Sequence, residues 1–358
     1  MSWCALTFLL SNGGCRHANE QSQFYAEDDF YSVPKTDIHV HINGNEQAFM
    51  SQALSDDFRV LTINTNCPEF VPIKQQQALA VSLRKKYPKN VIFAGTFKID
   101  SYENENWEND AIAQIDSAVS AGAVAIKMWK NIGMSDKDKS GKLIMPDDPR
   151  FDTIYKHLEE KHIPLFIHVG EPKNCWLPLE KMTVNNDKIY FKNHPEYHMY
   201  IHPDFPDYQK YIDARDNILQ QHDDLQVIGC HMGSLEWSVD ELSIRLDKYP
   251  NFSVDIAARM GQIQYQCIND REKVRNFFIK YQDRILYGSD INIAADGDPK
   301  EIKHDLHNAW IADWKFLCSG EKMTSIYVDK SFQGLNLPKT VIDKIYDLNA
   351  ERYFSFAK

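Results

Sequence analysis

The run Thr36–Ile42 carries two histidines, His39 and His41, separated by a single residue. Side chains two positions apart on a β-strand point to the same face, so the two imidazoles are expected to face one direction. Converging imidazoles are natural ligands of a divalent transition metal. The pair alone would also fit a strand whose histidines are hydrogen-bonded within a core. Whether His39 and His41 bind a metal therefore depends on which other candidate ligands the fold places close to them.

Three further candidate ligands stand where later apolar runs end. His168 lies near the end of PLFIHV, His231 closes QVIGCH, and Asp290 directly follows RILYGS. The carboxyl ends of parallel barrel strands meet on one side, and barrel enzymes place their active sites there. We therefore predict that four histidines and one aspartate converge on a site for a divalent metal.

The elements that must position these residues follow one repeating pattern from Lys35 onward. Eight short runs rich in β-branched and aromatic residues are the expected strands: Thr36–Ile42, Arg59–Thr65, Val91–Phe97, Ala123–Trp129, Pro164–Val169, Gln226–His231, Phe252–Ala257 and Arg284–Ser289. Helical patterns lie between them, as in Asp110–Ala121, Phe151–Lys161, Ser234–Lys248 and Arg271–Lys280. Strands separated by helices pair in parallel, so the pattern predicts an α/β fold. Eight units favour a (β/α)8 TIM barrel, with a doubly wound open sheet as the alternative.

Two segments do not fit this repeat. Glu171–Tyr208, between the fifth and sixth strands, is rich in Pro, Asn, Tyr and His. A connection of this length usually serves as a lid or a binding loop. Pro338–Phe354 has a helical pattern and predicts extra C-terminal helices. Because candidate ligands spread from His39 to Asp290 have to meet, we predict one domain over residues 31–358, with residues 171–208 inserted and residues 1–30 as a lead-in.

The composition excludes several classes of protein. The chain has 358 residues and a formal charge of −11, which disfavours nucleic acid as a partner. Its hydrophobic content of 43% and charged content of 25% are typical of a globular protein. No apolar run reaches the roughly 18–20 residues of a membrane span. The cysteines are scattered and never spaced as CxxC, so neither a zinc ribbon nor a disulfide framework is predicted. A small-molecule substrate is the remaining expectation.

The opening segment MSWCALTFLLSNGGC leaves the cellular location open. Its apolar run Trp3–Leu10 resembles the core of a secretory signal, and the residues before Cys15 loosely resemble a lipoprotein cleavage site. A basic start, which such signals carry, is missing. The protein is expected in the cytoplasm or, if this segment is a signal, in the periplasm or anchored to lipid.

The order of the candidate ligands resembles that of the metal-dependent amidohydrolase superfamily. The closer resemblance is to its amidohydrolase-related branch (amidohydrolase 2), which contains aminocarboxymuconate-semialdehyde decarboxylase and resorcylate decarboxylases. It extends from Lys35 to about Asn292 and includes the segments AIKMWK, DDPRFD, IHVGEP, HPE, AR, GCHMGS, YPNFSVDIAAR and YGSDI. The resemblance implies a TIM-barrel enzyme with His231 as a catalytic histidine. The metal ligands that it implies are His39, His41, His168 and Asp290.

Lys127, in AVAIKMWK, decides how many ions the site would hold. In binuclear amidohydrolases a lysine near this place can be carbamylated and bridge two metals, and only then would His231 be a ligand of the second ion. Lys127 could instead hold a substrate carboxylate as a compact point charge, or pair with Glu171 or Asp255. The sequence leaves these three alternatives open.

Other polar and aromatic residues are candidates for the surroundings of the site. Glu171 and Arg215 are predicted substrate contacts, and Asp255 is expected to orient a ligand histidine or to pair with Arg259. The remaining candidates for substrate contact, or for packing around the pocket, are His194, His198 and His202 of the inserted loop together with Trp129, Lys130 and Trp176.

The expected reaction is hydrolysis of an amide, ester or lactone. A metal held by three histidines and an aspartate lowers the pKa of a bound water toward neutrality. Asp290 would take the water proton and pass it to the leaving group, while His231 would help to polarise the carbonyl. Zn is the default ion, with Mn, Co or Fe as alternatives, and one or two ions are expected. Non-oxidative decarboxylation of a small carboxylic acid uses the same ligands in the resembling branch, and it is the main alternative.

Two further functions fit the sequence less well. Phosphoesterases that also begin with an HxH pair normally end on Asp-x-His, whereas Asp290 is followed by Ile291 and Asn292. A binding module with a vestigial metal site would not need the complete ligand set. The sequence is compatible with a homo-oligomer.

Overall fold

The computed structural model describes residues 23–294, 296–354 and 356. The signal-like segment of residues 1–15 lies outside the described residues. The last part of the predicted lead-in belongs to the fold: a short 3-10 helix, Glu27–Tyr31, places Phe30 in the core. The hydroxyl of Tyr25 also donates to Asp343 near the C-terminus, at 2.7 Å.

Nine parallel strands make one curled sheet in the manner of a half-barrel. Its strands are β1 (Lys35–Ile42), β2 (Phe58–Ile63), β3 (Val91–Thr96), β4 (Ala125–Met128), β5 (Leu165–Ile167), β6 (Val227–Gly229), β7 (Phe252–Asp255), β8 (Ile285–Leu286) and β9 (Ile291–Ile293). They are hydrogen-bonded in the order β8-β7-β6-β5-β4-β3-β2-β1-β9. A separate antiparallel hairpin consists of β10 (Lys322–Ser325) and β11 (Val328–Gln333).

Helices connect the strands, as parallel pairing requires. The α-helices are α1 (Glu46–Ser55), α2 (Ile73–Lys86), α3 (Trp107–Ser120), α4 (Asn131–Met134), α5 (Asp152–Glu160), α6 (Asn185–Asn193), α7 (Tyr208–Gln221), α8 (Cys230–Gly233), α9 (Val239–Lys248), α10 (Met260–Lys280), α11 (Pro299–Cys318), α12 (Lys339–Asp343) and α13 (Asn349–Tyr353). Further 3-10 turns are Pro149–Phe151, Lys173–Trp176, Leu179–Lys181, Pro195–Tyr197 and Met199–Ile201, and Lys344–Leu348 is a π-helix. Most of the short turns lie between β5 and β6, within the predicted insertion.

The eight predicted strands are confirmed as β1 to β8, with first residues that differ by up to two positions and last residues that differ by up to three. The predicted helices are also present, although Arg271–Lys280 is only the second part of α10, which is broken at Asp270. The sequence did not indicate β9 or the hairpin of β10 and β11. Four residues separate β8 from β9, and the last of them, Asp290, has a left-handed backbone with a φ of 65°.

The strand that carries the HxH pair is buried on both faces from Lys35 to Ile42. Its buried Asp37 accepts hydrogen bonds from the backbone amides of His39 and Ser289 and from the indole of Trp310, at 3.0–3.1 Å. Burial raises the pKa of Asp37 to about 6, although these donors favour its charged form. The carboxylate of Asp37 therefore joins β1 to Ser289 and Trp310, in addition to the backbone hydrogen bonds of the sheet.

The helices cover the sheet through apolar stripes of helical period. In α3 the buried side chains are Trp107, Ala111, Ile115 and Ala118, three or four residues apart, so one face of the helix packs inward. Across the described part of the chain, none of the helices combines the length and the apolar content that a membrane span requires.

Candidate metal centre

All five predicted ligands reach one cavity at the carboxyl end of the sheet. His39 and His41 lie on β1, His168 directly follows β5, His231 follows β6, and Asp290 lies between β8 and β9. Their side chains line a cavity of about 200 Å³. A larger groove of about 620 Å³ is lined by residues of α2 and α3 and contains none of the predicted ligands. The convergence predicted from the strand ends is therefore present.

Three of the imidazoles are fixed in the same protonation pattern. Each places Nδ1 at hydrogen-bond distance from an oxygen that can only accept, so Nδ1 carries the proton and donates it. Nε2 then keeps its lone pair, which is the form of histidine that binds a metal. The acceptors are a carboxylate oxygen of Asp255 for His39 at 2.8 Å, the carbonyl of Ile63 for His41 at 2.9 Å and the carbonyl of Ala257 for His231 at 2.9 Å.

The three Nε2 atoms face the carboxylate of Asp290. His39 and His41 each place Nε2 3.3 Å from Oδ1 of Asp290, and Nε2 of His231 is 4.0 Å from its Oδ2. Lone pairs on nitrogen and oxygen repel one another at these distances unless a cation or a proton lies between them. Burial lowers the pKa of His39 and of His231, so protons are a poor solution. The donor set therefore fits a divalent transition metal.

The charge of Asp290 is stabilised by the site itself. Burial opposes ionisation, but the imidazoles of His231, His39 and His41 outweigh it and hold the pKa of Asp290 well below its usual value. The group is therefore an anion at neutral pH, able to bind a metal or to accept a proton. Three of the predicted ligands, His39, His231 and Asp290, have ligand atoms that all lie within 4.8 Å of one another.

His168 lies beside this set rather than within it. Its ring centroid is 4.3 Å from that of His231, and its buried Nε2 has no hydrogen-bond partner. Burial and the neighbouring His231 lower its pKa well below the usual value, so the ring is neutral. An orphaned, neutral imidazole nitrogen at this place is consistent with a fourth ligand.

The backbone at His231 adopts a conformation that side chains normally avoid. His231, Met232, Gly233 and Ser234 all have left-handed φ values between 58° and 61°. Such a conformation costs roughly 1–2 kcal/mol per residue other than glycine, and consecutive examples are rare. Two polar contacts hold this turn, because the amide of His231 donates to Asp255 at 2.7 Å and the hydroxyl of Ser234 donates to the carbonyl of Val169 at 2.5 Å.

Asp255 supports two candidate ligands at once. One carboxylate oxygen accepts from Nδ1 of His39, and the other accepts from the backbone amides of His231 and Ala257. Burial opposes its charge, but His39, the next largest influence, and the other donors lower its pKa. Its predicted alternative partner, Arg259, does not form an ion pair with it. The contacts correspond to the ligand-orienting role expected for this residue.

Replacing Asp255 by asparagine should weaken zinc binding by about 10- to 100-fold, the usual effect of removing an outer support of metal-bound histidine. A competition titration with a chromophoric chelator measures the affinity directly. The matched control is Asp56→Asn, since Asp56 is equally buried but lies at the amino end of β2 and accepts from Gln52 and His307. Zinc affinity equal to wild type in Asp255→Asn would contradict the proposed support.

Lys127 is buried beside His39. Its ammonium donates to the thiol sulfur of Cys230 at 2.9 Å and lies 3.4 Å from Nε2 of His39. The predicted ion pair with Glu171 or Asp255 is not observed among the described residues; Glu171 pairs with Lys130 instead. Lys127 thus lies close enough to take part in the centre. It could do so either as a carbamylated ligand that bridges two ions or as a contact for a substrate carboxylate.

Neither of the two other predicted substrate contacts lines the cavity, although Glu171 is paired with a residue that does. Glu171 is buried, and its partner Lys130 lines the cavity. Arg215 is 1% exposed and lies outside the lining. Its guanidinium donates to the carbonyl of Gly233 in the left-handed turn and pairs with Asp216. Arg215 is thus placed to support the turn that carries His231.

Arg215→Met should lower the free energy of unfolding by about 3 kcal/mol or more, because it leaves the buried carbonyl of Gly233 without its donor and removes the more buried of the two arginines that pair with Asp216. Arg245→Met is the control, since Arg245 also pairs with Asp216 but from a more exposed position; its loss should cost about 1 kcal/mol or less. Urea unfolding of the two variants measures the difference, and equal losses would remove the supporting role of Arg215.

The histidines of the insertion form hydrogen bonds mainly with other residues of the insertion. Nε2 of His198 donates to the carbonyl of Leu177 at 2.8 Å and Nε2 of His202 donates to that of Pro195 at 2.9 Å, while His194 is exposed beside Glu196. Of the two expectations for these histidines, the contacts correspond to packing of the loop. Of the predicted pocket residues, Trp129 and Lys130 line the cavity, whereas the indole of Trp176 donates to Pro206.

The sequence interpretation missed one wall of the cavity. It is formed by residues that follow β2, and the ring of Phe70 lies 5.1 Å from that of His41. The rule that located His168 also applies here, because these residues follow the carboxyl end of a strand. The missed wall residues are Thr65, Cys67, Glu69 and Phe70, and Asn292 on β9 was missed as well.

The chain matches the sequence model of the family described as Amidohydrolase (Amidohydro_2) over residues 104–356, and it belongs to that family. Family membership indicates an enzyme, a hydrolase or a decarboxylase, and the family generally binds a divalent metal. The matched region includes His168, His231 and Asp290 but begins after β3, so His39 and His41 precede it. No curated protein sequence matches the chain.

Solved structures with a similar fold include several enzymes. An amidohydrolase II is 15% identical, with 89% of this chain and 99% of that chain covered and a TM-score of 0.51. The 5-carboxyvanillate decarboxylase LigW from Sphingomonas paucimobilis is 10% identical, with 91% and 100% covered and a TM-score of 0.47. The dihydroorotase of Campylobacter jejuni is 12% identical, with 91% and 85% covered and a TM-score of 0.49. At 15% identity, the likeness to the amidohydrolase II shows the fold alone.

Proposed function

We propose that this protein is a metal-dependent hydrolase of a small organic molecule, acting on an amide, ester or lactone bond. His39, His41 and Asp290 would hold a divalent ion together with His168 or His231. The observation that carries the proposal is the set of three Nε2 lone pairs facing one ionised carboxylate. Zn is the simplest ion for these ligands, and Mn, Co or Fe would also suit them.

The convergence of the ligands is best explained by a closed (β/α)8 barrel, in which residues 285–293 form the eighth strand. The amide of Ile38 donates to the carbonyl of Tyr287 at 3.1 Å, and the amide of Asp290 donates to that of His39 at 2.7 Å. β9 then continues the contact with β1. On this view residues 31–358 are one domain, with residues 171–208 inserted at the mouth of the barrel.

The chemistry divides between the ion and the side chains. A divalent ion supplies a Lewis acid for the substrate carbonyl and brings the pKa of water toward neutrality. Asp290 is ionised and lies at the centre of the donor set, so it is the group placed to accept the water proton and return it to the leaving group. A cavity of about 200 Å³ has room for a small substrate only.

His231 fits the role of ligand better than the predicted role of donor to the substrate carbonyl. Its Nδ1 proton is engaged by the carbonyl of Ala257, so the neutral ring presents only a lone pair at Nε2. It could donate from Nε2 only as an imidazolium, and burial lowers its pKa well below the usual value. We therefore assign His231 to the ligand set.

The position of Lys127 favours loss of its charge when the site is filled. Its ammonium lies 3.4 Å from Nε2 of His39, an atom assigned to the ion, and two cations that close would repel each other strongly. Carbamylation would convert the lysine into an anion able to bridge two ions. In that arrangement His231 would belong to the second ion.

Hydrolysis is favoured over decarboxylation by the acceptor atoms that face the cavity. Decarboxylation needs an acid to supply the proton that replaces CO₂, whereas hydrolysis begins with a base. Nδ1 of His39, His41 and His231 donates away from the cavity, so their Nε2 atoms and the carboxylate of Asp290 face it as acceptors. A decarboxylase remains the alternative, with Lys127 as the candidate for binding the carboxylate or supplying the proton.

A panel of lactones, esters and amides, assayed alongside hydroxylated aromatic acids, should give hydrolysis with the zinc-loaded protein. Asp290→Asn should lower kcat/KM by at least about 100-fold while the protein stays folded, because the base is lost. Asp223→Asn, which changes an exposed carboxylate on the loop after α7, should retain full activity. Release of CO₂ without bond hydrolysis would replace the hydrolase assignment with the decarboxylase.

A further inference from the structure

A second cavity adjoins the segment that carries Asp290. Ser289 and Ile291, the neighbours of Asp290 in sequence, line this cavity, whereas Asp290 itself lines the metal cavity. The volume is about 270 Å³, and within the described residues the two cavities have no lining residue in common. Much of the remaining wall comes from α10, α11 and the hairpin of β10 and β11, so we call it the hairpin cavity. Its lining also includes Met260, Gln264, Ala309, Asp313, Tyr327 and Phe332.

Asp313 is the charged group of the hairpin cavity. Among the described residues of the lining, no other side chain carries a charge. Oδ2 of Asp313 accepts a hydrogen bond from the hydroxyl of Tyr287 at 2.8 Å, whereas Oδ1 has neither a donor nor an ion-pair partner in the described part of the chain. Burial raises the pKa of Asp313 to about 7, and the charge of Asp37 adds to this effect. The protein itself therefore stabilises the ionised form of Asp313 poorly.

The neighbouring carboxylate of Asp37 has more donors than Asp313. Asp37 accepts three hydrogen bonds, and one of them comes from the indole of Trp310. Trp310 lies three residues before Asp313 and on the same face of α11, so two carboxylates lie along one side of this helix. Within the ranges that the structure describes, no cation is paired with either. A cationic ligand at Asp313 would balance the carboxylate that has fewer donors.

The oxygens and the apolar surface of the hairpin cavity favour one kind of cation. A hard inorganic ion takes several oxygen ligands, whereas Asp313 offers a single free carboxylate oxygen. A guanidinium binds a carboxylate best through two parallel hydrogen bonds, and Tyr287 already occupies one of the two oxygens. An ammonium is a compact charge that one oxygen can bind. Met260 and Phe332, both buried, supply apolar surface for a short hydrocarbon body.

We propose that the hairpin cavity is a second ligand site, which binds a primary ammonium ion with a short apolar body through Asp313. The ammonium donates to Oδ1 of Asp313, and its body packs against the apolar side chains of the lining. Sites for small molecules commonly combine an apolar lining with a few polar groups that fix orientation. The site goes beyond the proposed hydrolysis and does not depend on it. An occupant would contact Ser289 and Ile291, which flank Asp290 in the chain.

The test uses calorimetric titration of the zinc-supplied protein at pH 8 with n-butylamine, benzylamine and 2-phenylethylamine. Each amine is compared with the alcohol that has a hydroxyl in place of the ammonium, so that only the charge and its donors differ. At least one amine should bind about tenfold or more tightly than its alcohol, since a hydrogen bond between charged groups is made only by the amine. Asp313→Asn, which keeps an acceptor for Tyr287, should reduce that ratio below about threefold.

Asp343→Asn is the matched control, because Asp343 also accepts from a tyrosine hydroxyl, that of Tyr25, but does not line the cavity. It should keep the wild-type ratio. Ala309→Leu adds bulk to the lining one helical turn before Asp313 and should weaken binding of the amine and of the alcohol alike. The proposal is overturned if the wild type prefers none of the amines, or if Asp313→Asn keeps the preference. If Asp313→Asn does not fold, an unchanged amine affinity in Ala309→Leu overturns it.

Binding of the amine to a metal ion is distinguished in the same titrations. The unprotonated fraction of an amine can act as a metal ligand, and such binding would disappear after chelation and would be unchanged in Asp313→Asn. That pair of results would overturn the hairpin site. Amine binding that survives chelation and falls in Asp313→Asn supports it, whether or not the proposed metal centre is present.

Discussion

The structure depends on one electrostatic constraint, which is that three imidazole lone pairs and a carboxylate occupy the same small volume. Such a group of acceptors is unstable alone, because the lone pairs and the negative charge repel one another at these distances. A bound cation would remove this repulsion. The surrounding protein keeps the three lone pairs directed at the cavity, because each Nδ1 proton is donated to an acceptor outside it. Much of the architecture around the site can be understood as what keeps these atoms in place.

The supports come from several strands and include strained backbone. Asp255 on β7 holds a histidine of β1 and the amide of His231 after β6, so one carboxylate ties three strand ends together. The left-handed turn after β6 and the left-handed Asp290 after β8 hold side chains at angles that continued strands would not give. This strain is concentrated at the ligands, which is typical of a site whose geometry serves chemistry.

The sequence was sufficient to locate the ligands, because two simple rules apply to them. Alternation along a strand places His39 and His41 on one face, and parallel pairing brings the ends of β5, β6 and β8 to the same side. The tautomers could not be predicted, since they depend on Asp255 and on the carbonyls of Ile63 and Ala257, which are distant in sequence. The left-handed turn at His231 was also hidden, because only its glycine suggests it.

Arg215 and Arg259 are a second example of a feature that could not be predicted from the sequence. Both are arginines near the predicted site, and the sequence favoured Arg215 as the substrate contact. In the structure the guanidinium of Arg215 binds the carbonyl of Gly233 and the carboxylate of Asp216, whereas the buried Nε of Arg259 has no hydrogen-bond partner. Which cation is free depends on burial and on partners from other elements, and no local pattern in the sequence records that.

Elemental analysis of the full chain, purified without chelators, tests the metal centre most directly. The account predicts a divalent transition metal at close to one or two ions per chain, and a ratio near two would place Lys127 and His231 around the second ion. A folded protein that contains no transition metal as purified, and takes up none when zinc is supplied, would contradict it.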